Sequence, residues 1–347
     1  MTDIFPISFL FSVLLIFISK IIGKKGIVNI RQSPQTLHTR SVSRFGGIAI
    51  FFSLLLVSLI DNSENYQFMR MALYCSSPIF ILGILDDLQL EIKPIIRLLI
   101  VFPSAFLSYY FLGVEAYSLD ISYVDSLFEF KIFSIIFICF AIAGMVNAFN
   151  MIDGINGLVL LYSLTICVLI LLFQSSSSSL DINLFFVAIF FAILAVFILN
   201  FPFGRIFLGD GGAYFLGIML SIGVIKYYQI NALSPWYVFS VFIYPITDVF
   251  FSIFRRIISK VSAVKPDSKH LHHIVYKRVK KIGLESENSN HAITTILMFI
   301  LYFPFLLAAN YFANNSLILQ IQCLIFITFY LAIYILLNPK DLTYRKT

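Results

Sequence analysis

The sequence predicts an all-α, polytopic membrane protein with about eleven transmembrane helices. Of its 347 residues, 60% are hydrophobic and only 12% are charged, whereas soluble domains average about 45–50% apolar and about 25% charged residues. Apolar runs of helical length recur along the whole chain. They leave no stretch long enough for a separate soluble domain, so residues 1–347 are interpreted as a single integral membrane domain.

Polar or turn residues separate the predicted helices and set their bounds. The first helix lacks a basic start and a small-residue cleavage site, so it is interpreted as a retained helix and not as a signal peptide. The four cysteines lie within apolar runs without CxxC spacing, which favours packing over disulfides or metal ligation. The predicted helices cover 5–22, 46–61, 68–85, 95–112, 132–149, 155–173, 183–201, 213–230, 235–253, 292–309 and 317–337.

Lysine and arginine are concentrated on one side of this topology. Only three of the 24, Arg70, Lys131 and Lys226, fall on the other side. The positive-inside rule therefore places the N-terminus outside and the C-terminus in the cytoplasm. The net charge of +6 follows from this topology, and no nucleic-acid-binding motif accompanies it.

Acidic residues stand at the cytoplasmic ends of the predicted helices. The third helix closes with Asp86 and Asp87, and two adjacent carboxylates raise each other's pKa unless a cation lies between them. One aspartate would suit a solvated helix end, whereas two favour a metal, a proton acceptor or both.

The fifth predicted helix runs into the segment NAFNMIDGINGL at 147–158. Its polar side chains and glycines cannot face lipid, so the segment must be buried in protein or line an aqueous cavity. In a helix, Asn147, Asn150 and Asp153 lie at i, i+3 and i+6 and point into a common site.

The eighth predicted helix is preceded by FLGDGG at 207–212, in which glycines flank Asp210. Free backbone N–H groups beside a carboxylate at a helix start suit a phosphate with its Mg²⁺. The same four residues GDGG also occur in ordinary turns.

Three of the five histidines fall within HLHH at 270–273, in the long loop after the ninth predicted helix. A zinc site would need a third ligand at a familiar spacing, and no HExxH motif occurs. Because lysines and arginines surround these histidines, a phosphate-binding cluster is favoured over zinc. The first loop adds His38 and Arg44, which positive-inside charge alone can also explain.

All these motifs lie on the cytoplasmic face and predict one active site built from residues 20–45, 86–97, 147–158, 200–212 and 254–291. Carboxylates, amides and cations together suit a doubly anionic, metal-chelating substrate. A secondary transporter or ion channel is the alternative from another class. It would show acids near mid-span and an internal repeat, and the sequence has neither.

Taken together, GILDD at 83–87, NAFNMIDGINGL, FLGDGG and HLHH resemble the polyprenyl-phosphate N-acetylhexosamine-1-phosphate transferases. This is glycosyltransferase family 4, which includes WecA-like and MraY-like enzymes. The resemblance extends over nearly the whole chain, in the expected order. It implies a multi-pass protein of the bacterial inner membrane that transfers a sugar 1-phosphate from a UDP-sugar to undecaprenyl phosphate and releases UMP. It also implies Mg²⁺ or Mn²⁺ as the cofactor, no nucleic-acid partner, and a homodimer as a common assembly.

The resemblance also implies roles for individual residues. Asp210 is expected to be the principal metal ligand, with Asp153 and Asp87 in or near the same shell. Asp86 is expected to act as the base on the lipid phosphate, although Asp86 and Asp87 could exchange roles. The expected catalytic residues are Asp86, Asp87, Asp153 and His270. The expected substrate-binding residues are His38, Arg44, Asn147, Asn150, Asn156, Phe207, Arg255, Lys269, His272 and His273.

One position departs from the family pattern, which usually has Asp where this chain has Asn156. An amide oxygen still accepts an N–H group from uracil there, but without charge and so more weakly. The HLHH motif and the number of helices favour the WecA-like branch, with UDP-N-acetylglucosamine or a related sugar as donor for O-antigen or another surface polysaccharide. The phospho-MurNAc-pentapeptide translocase of peptidoglycan synthesis is the alternative within the family.

Overall fold

The computed structural model describes residues 4–23, 42–61, 63–88, 90, 92–173, 180–260, 267–283 and 286–338. Within these ranges the chain is all-helical and contains no β-strand, which confirms the predicted fold class. The α-helices are α1 Ile4–Gly23, α2 Gly46–Ile60, α3 Gln67–Asp87, α4 Pro94–Leu112, α5 Ser122–Asp125, α6 Lys131–Ile152, α7 Leu158–Leu172, α8 Leu180–Asn200, α9 Gly209–Ile230, α10 Pro235–Val241, α11 Ile243–Ile258, α12 Leu271–Lys281, α13 Glu287–Tyr311 and α14 Ser316–Leu337.

Seven of the described helices are long and apolar enough to cross a membrane, or eight if α10 and α11 form one span broken by a 77° bend. Three shorter apolar helices cover Ile4–Ile18, Gly46–Ile60 and Leu158–Leu172. All of these helices coincide in position with the predicted ones. Whether the shorter three also cross the membrane stays a prediction.

Helix α9 occupies the centre of the bundle and is buried along nearly its whole length. It packs against α2, α3 and α6. Glycines allow the close approach, because a Cβ added at Gly83 of α3 would lie 2.4 Å from the Cα of Gly211, and one added at Gly47 of α2 would lie 2.2 Å from the Cα of Gly212. Small residues at such contacts let membrane helices pack backbone against backbone.

Hydrogen bonds connect different segments of the chain at the two ends of the bundle. At one end, the backbone N–H groups of Gly46 and Gly47 donate to the carbonyls of Phe207 and Leu208, both at 2.9 Å. At the opposite end, Trp236 Nε1 donates to the carbonyl of Leu119 at 2.8 Å. The polar motifs predicted for the active site fall at the first of these ends.

The structure adds a helix, α12, where the sequence predicts a long loop. The segment is rich in charged residues, which is why the sequence pattern suggested a loop. In the structure it is an amphipathic helix, with its charged residues on one face. The buried apolar residues on the other face are Leu271, Ile274, Val275 and Val279. The four cysteines, Cys75, Cys139, Cys167 and Cys323, are buried and unpaired, in agreement with a packing role.

Replacing Gly83 by alanine is expected to destabilise the protein by about 1–3 kcal/mol, the usual cost of overpacking. The added methyl group would meet the backbone of Gly211, which no side-chain rotation can relieve. Thermal unfolding in detergent, followed through the reaction of the buried cysteines with a thiol dye, measures the change. Gly144→Ala is the matched control, because a Cβ there has no atom within 4 Å. Equal midpoints for the two variants would contradict the close contact of α3 with α9.

Candidate active site

Four aspartates from three helices form an acidic cluster, defined as Asp86, Asp87, Asp153 and Asp210. Asp86 and Asp87 end α3, Asp153 follows α6, and Asp210 lies in the first turn of α9. The guanidinium of Arg44 interacts electrostatically with all four carboxylates. The sequence prediction that these acids share one site is therefore consistent with the structure.

Asp87 binds the N-terminus of α9. Its two carboxylate oxygens accept the backbone N–H groups of Asp210 and Gly211, each at 2.9 Å. A negative charge at a helix N-terminus satisfies unpaired N–H groups and interacts favourably with the helix dipole. The sequence predicts that these N–H groups bind a phosphate, and the structure differs because Asp87 already occupies them.

Gly209 makes this arrangement possible. Its φ is +80°, and a Cβ there would lie 2.2 Å from the carbonyl oxygen of Arg44 and 2.6 Å from Asp87 Oδ2. Glycine adopts this left-handed conformation without strain and leaves room for both oxygens.

Arg44 lies between two members of the acidic cluster. Its Nε is 3.4 Å from Asp87 Oδ1, and its Nη2 is 3.2 Å from Asp210 Oδ1. Burial opposes the charge, but Asp210 and Asp87 raise the pKa of Arg44 above its ordinary value. The guanidinium is therefore a permanent cation beside the carboxylates.

Asp86 pairs with Arg97 of α4. Arg97 Nη2 donates to Asp86 Oδ1 at 2.9 Å, and the Asp86 side chain has 0% exposure. Arg97 also interacts electrostatically with Tyr214 of α9. This arrangement does not present Asp86 to a substrate, so the expected base role receives no support from its surroundings.

Asn150 lies in the last turn of α6, just before Asp153 of the acidic cluster. Asn150 Nδ2 donates to the Tyr214 hydroxyl at 3.4 Å, whereas Asn147 Nδ2 donates to the carbonyl of Ala143 in its own helix at 2.8 Å. Burial raises the pKa of Asp153 well above its ordinary value, against the attraction of Arg44. Its backbone N–H donates to the carbonyl of Asn150 at 3.4 Å. Its carboxylate accepts no hydrogen bond from the described residues, which leaves it open to a ligand.

Asn156 lies in the loop between α6 and α7. Its backbone carbonyl accepts the Thr295 hydroxyl at 2.7 Å, and its buried Oδ1 has no hydrogen-bond partner among the residues that the structure describes. Its amide nitrogen and the Phe207 ring both border Gly204, where a Cβ would lie 2.9 Å and 3.5 Å from them. The two residues expected to bind uracil are thus neighbours.

The histidine cluster, defined as His270, His272 and His273, lies at the start of α12 and packs against the loop after α6. A Cβ at Gly154 would lie 2.8 Å from His273 Cε1 and 3.3 Å from His272 Nε2. The cluster therefore adjoins Asp153, the neighbour of Gly154 in the chain.

The three histidines differ in charge. Burial lowers the pKa of His273 to about 4 and that of His272 well below its ordinary value, so both rings are neutral near pH 7. Burial also opposes the charged form of His270, but the Asp248 carboxylate raises the pKa of His270 above its ordinary value. The sequence predicts that this cluster binds phosphate, which stays a prediction. Buried as they are, neutral His272 and His273 would bind phosphate as N–H donors and not as cations.

Arg255 and Lys269 are engaged by Asp267, which the sequence prediction missed. Arg255 and Arg256 both form ion pairs with the Asp267 carboxylate, and the Lys269 backbone N–H donates to it at 3.0 Å. Burial works against its charge, but His270 and the two arginines hold the pKa of Asp267 below its ordinary value. The guanidinium of Arg255 is therefore paired with Asp267 through Nη2, and its expected role in binding substrate stays a prediction.

Sequence reasoning also missed Arg97, Tyr214 and Tyr330. Arg97 closes the predicted active-site segment 86–97, so its position is a signal that could have identified it. Tyr330 is remote in the sequence and carried no such signal. His38 lies outside the described residues.

No three His, Cys, Asp or Glu side chains within the described ranges lie close enough together to hold a metal ion by themselves. The carboxylate oxygens nevertheless suit a hard divalent cation. The ion pairs with Arg44 show that Asp87 and Asp210 already bind a positively charged group. Mg²⁺ is typically bound by one or two carboxylates together with substrate phosphates, so a cage of three protein ligands is not required.

Comparison with known proteins gives consistent similarities. The family model described as glycosyl transferase family 4 matches residues 69–228, which include the acidic cluster. An undecaprenyl-phosphate alpha-N-acetylglucosaminyl 1-phosphate transferase of Thermotoga maritima is 31% identical over 273 residues, covering 79% of each chain. A probable undecaprenyl-phosphate N-acetylglucosaminyl 1-phosphate transferase of Bacillus subtilis is 28% identical, covering 94% of this chain and 89% of the relative. A phospho-N-acetylmuramoyl-pentapeptide-transferase of Clostridium perfringens is 29% identical, covering 59% of this chain and 72% of the relative.

Removing Arg97 is expected to destabilise the protein, because Asp86 would remain buried without its cation. Breaking a buried pair from one side costs about 3–5 kcal/mol, and the partial exposure of Arg97 places the expected value near the lower bound. Thermal unfolding of Arg97→Met, Asp86→Asn and the double variant forms a double-mutant cycle. The double variant should recover much of the stability that Arg97→Met loses, and purely additive losses would refute the pairing.

The stability of the protein is expected to fall between about pH 6.5 and pH 4 through His273, whose pKa in the folded state is about 4. The unfolded chain binds a proton in this window and the folded chain does not, so acid favours unfolding by up to about 3 kcal/mol from this group. Unfolding midpoints of the parent and His273→Gln, compared from pH 4 to 8, isolate the contribution. The variant should lose less stability on acidification, and parallel curves would be inconsistent with a neutral, buried His273.

Proposed function

This chain belongs to glycosyl transferase family 4, and we propose that it transfers N-acetylglucosamine 1-phosphate from a UDP-sugar to undecaprenyl phosphate. The observation that carries the proposal is the meeting of four aspartates and Arg44 at one end of a bundle of membrane helices. A lipid phosphate can meet a water-soluble nucleotide only at such an end. The family prediction from the motifs is confirmed, and a secondary transporter has no remaining support.

The proposed reaction is a phosphoryl transfer. An oxygen of the lipid phosphate attacks the β-phosphorus of the UDP-sugar, the bond from this phosphorus to the bridging oxygen breaks, and UMP leaves. In such reactions the protein mainly positions the reactants and compensates their charge. No covalent enzyme intermediate is needed, because the lipid itself supplies the nucleophile.

The topology proposed for this reaction has about eleven spans, with the N-terminus outside and the active-site end in the cytoplasm. The positions of the seven long helices, the bent pair and the three shorter helices support it. The excess of lysine and arginine at the same end as the acidic cluster supports the orientation. In a bacterium this corresponds to the inner membrane.

Asp210 and Asp153 are the residues proposed to hold Mg²⁺ or Mn²⁺. For Asp87, expected in or near the metal shell, the proposed role is to hold the N-terminus of α9 through its two oxygens and so to place Asp210. An ion held there would supply positive charge that stabilises the diphosphate of the UDP-sugar. Arg44 supplies a second, permanent positive charge at the same carboxylates.

Phe207 and Asn156 are proposed to receive the uracil ring. The aromatic face of Phe207 can stack on the base, and the unpartnered Oδ1 of Asn156 can accept its imide N–H. Neutral His272 and His273 can donate N–H groups to phosphate oxygens but add no charge, whereas His270 and Arg44 can supply positive charge.

The expected donor is UDP-N-acetylglucosamine, and the expected product begins O-antigen or another surface polysaccharide. The extents of similarity support this choice, since the Clostridium perfringens pentapeptide transferase aligns with 59% of this chain and the two N-acetylglucosaminyl relatives with 79% and 94%.

The test is UMP release by purified protein in detergent with undecaprenyl phosphate, Mg²⁺ and separate UDP-sugars, including UDP-N-acetylglucosamine and UDP-MurNAc-pentapeptide. Release should require lipid and metal and should be fastest with UDP-N-acetylglucosamine. Asp210→Asn should lower kcat by about 100-fold or more, as for other removed electrostatic contacts to a reacting group.

The matched control is Asp181→Asn in the first turn of α8, at the opposite end of the bundle. It should retain parental activity. Release with the pentapeptide donor alone would identify the alternative transferase. A folded parent that releases no UMP from any donor would overturn the proposed reaction.

A further inference from the structure

Asp248 of α11 is a fully buried carboxylate that joins three separate elements. Its Oδ2 lies 2.6 Å from His270 Nδ1, which precedes α12. Its Oδ1 accepts the backbone N–H of Leu271 at 3.2 Å and the hydroxyl of Tyr330 in α14 at 2.7 Å. These three contacts link the start of α12 and the helix α14 to the bent helix.

The contact with His270 defines which ring nitrogen carries a proton. A carboxylate only accepts hydrogen bonds, so His270 Nδ1 must be the donor. Ser252 Oγ lies 3.2 Å from the same nitrogen. Deprotonation of the ring therefore occurs at Nε2, and that nitrogen becomes the acceptor.

The contacts with Leu271 and Tyr330 hold the helix that carries the histidine cluster. Leu271 is the first residue of α12, so the carboxylate binds a free N–H group at the positive end of the helix. At the other end of α12, Arg278 Nε donates to the carbonyl of Leu337 at 3.0 Å. Helix α14 thus holds α12 at both ends, once through Asp248 and once directly.

The position of α12 also affects the surroundings of Asp153 in the acidic cluster. His272 and His273 follow Leu271 directly and pack against Gly154, the neighbour of Asp153. Gly154 leaves no space for α12 to shift inwards, since an added Cβ would lie 2.8 Å from His273. The histidine rings therefore lie between Gly154 on one side and Asp248 with Tyr330 on the other, and the Tyr244 hydroxyl contacts His272 Nδ1 at 3.1 Å.

We propose that Asp248 and Tyr330 are positioning residues for His270 and for the first turn of α12. Asp248 keeps the proton of the neutral His270 ring on Nδ1, and Tyr330 orients Asp248. The C-terminal helix α14 then sets the geometry of the histidine cluster, although none of its residues lies in the acidic cluster. The effect on turnover rests on the proposed function, but the state of the His270 ring does not.

The first experiment is nitrogen NMR of the full chain in detergent, labelled with ¹⁵N-histidine and recorded at a pH where the rings are neutral. The His270 signals are identified by their loss in His270→Gln. The parent should show a protonated Nδ1 at His270. In Asp248→Asn the amide can donate to Nδ1, so the proton should move to Nε2 in part or completely. A protonated Nε2 in the parent would overturn the proposal.

The second experiment measures kcat and KM of Tyr330→Phe, which removes one hydroxyl. Its control is Tyr334→Phe, which removes the same group one turn later in α14. Loss of a group that orients a functional side chain typically costs about 10–100-fold in activity. Tyr330→Phe should lower kcat about tenfold, at the lower end of that range, with little change in KM for the UDP-sugar. Tyr334→Phe should keep the parental kcat.

The outcomes separate the two proposals. A parent with the expected His270 tautomer but no UMP release would overturn the proposed function alone. An active parent in which Tyr330→Phe and Tyr334→Phe have the same kcat would overturn the positioning role. Tyr330→Phe keeps the test decisive if Asp248→Asn does not fold, because it leaves the buried carboxylate in place.

Discussion

A carboxylate buried at the end of a membrane helix requires N–H donors or a cation, and Asp87 meets this requirement through the first turn of α9. Two backbone N–H groups and Arg44 together compensate its charge. Because α9 is the central helix, this contact positions the end of α3, the start of α9 and the segment before α2 relative to one another. Asp210, in the first turn of α9, is thereby placed beside Asp87 in the acidic cluster.

The same requirement shapes the rest of the active-site end. Each further buried acid is paired with a cation from another segment, so charge compensation also connects elements that are distant in the chain. Burying such pairs is costly, and they are stable only when hydrogen bonds satisfy both partners. Asp153 is the exception, because its carboxylate accepts no hydrogen bond from the described residues, which suits a side chain that must receive a ligand. The pairs are Asp86 with Arg97, Asp248 with His270, and Asp267 with Arg255 and Arg256.

Most of the helices could be predicted because the membrane imposes both a length and an apolar composition on each span. The proximity of the four aspartates in the acidic cluster could be predicted, because each lies at a helix end on the same side of the predicted topology. The partner of each acid could not be predicted, since the contact of Asp248 with Tyr330 joins residues far apart in the sequence. The charge of the histidines also depended on burial, which the composition of a lysine- and arginine-rich segment does not indicate.

The glycine contact between α3 and α9 has a consequence for the lipid environment. Membrane helices respond to a bilayer that is thicker or thinner than their apolar length by tilting. Since Gly83 and Gly211 bring the two backbones into contact, α3 and α9 must tilt as one body. Tilting the two helices together leaves the distance between Asp87 and the first turn of α9 unchanged. The geometry of the acidic cluster is therefore expected to be the same in bilayers of different thickness.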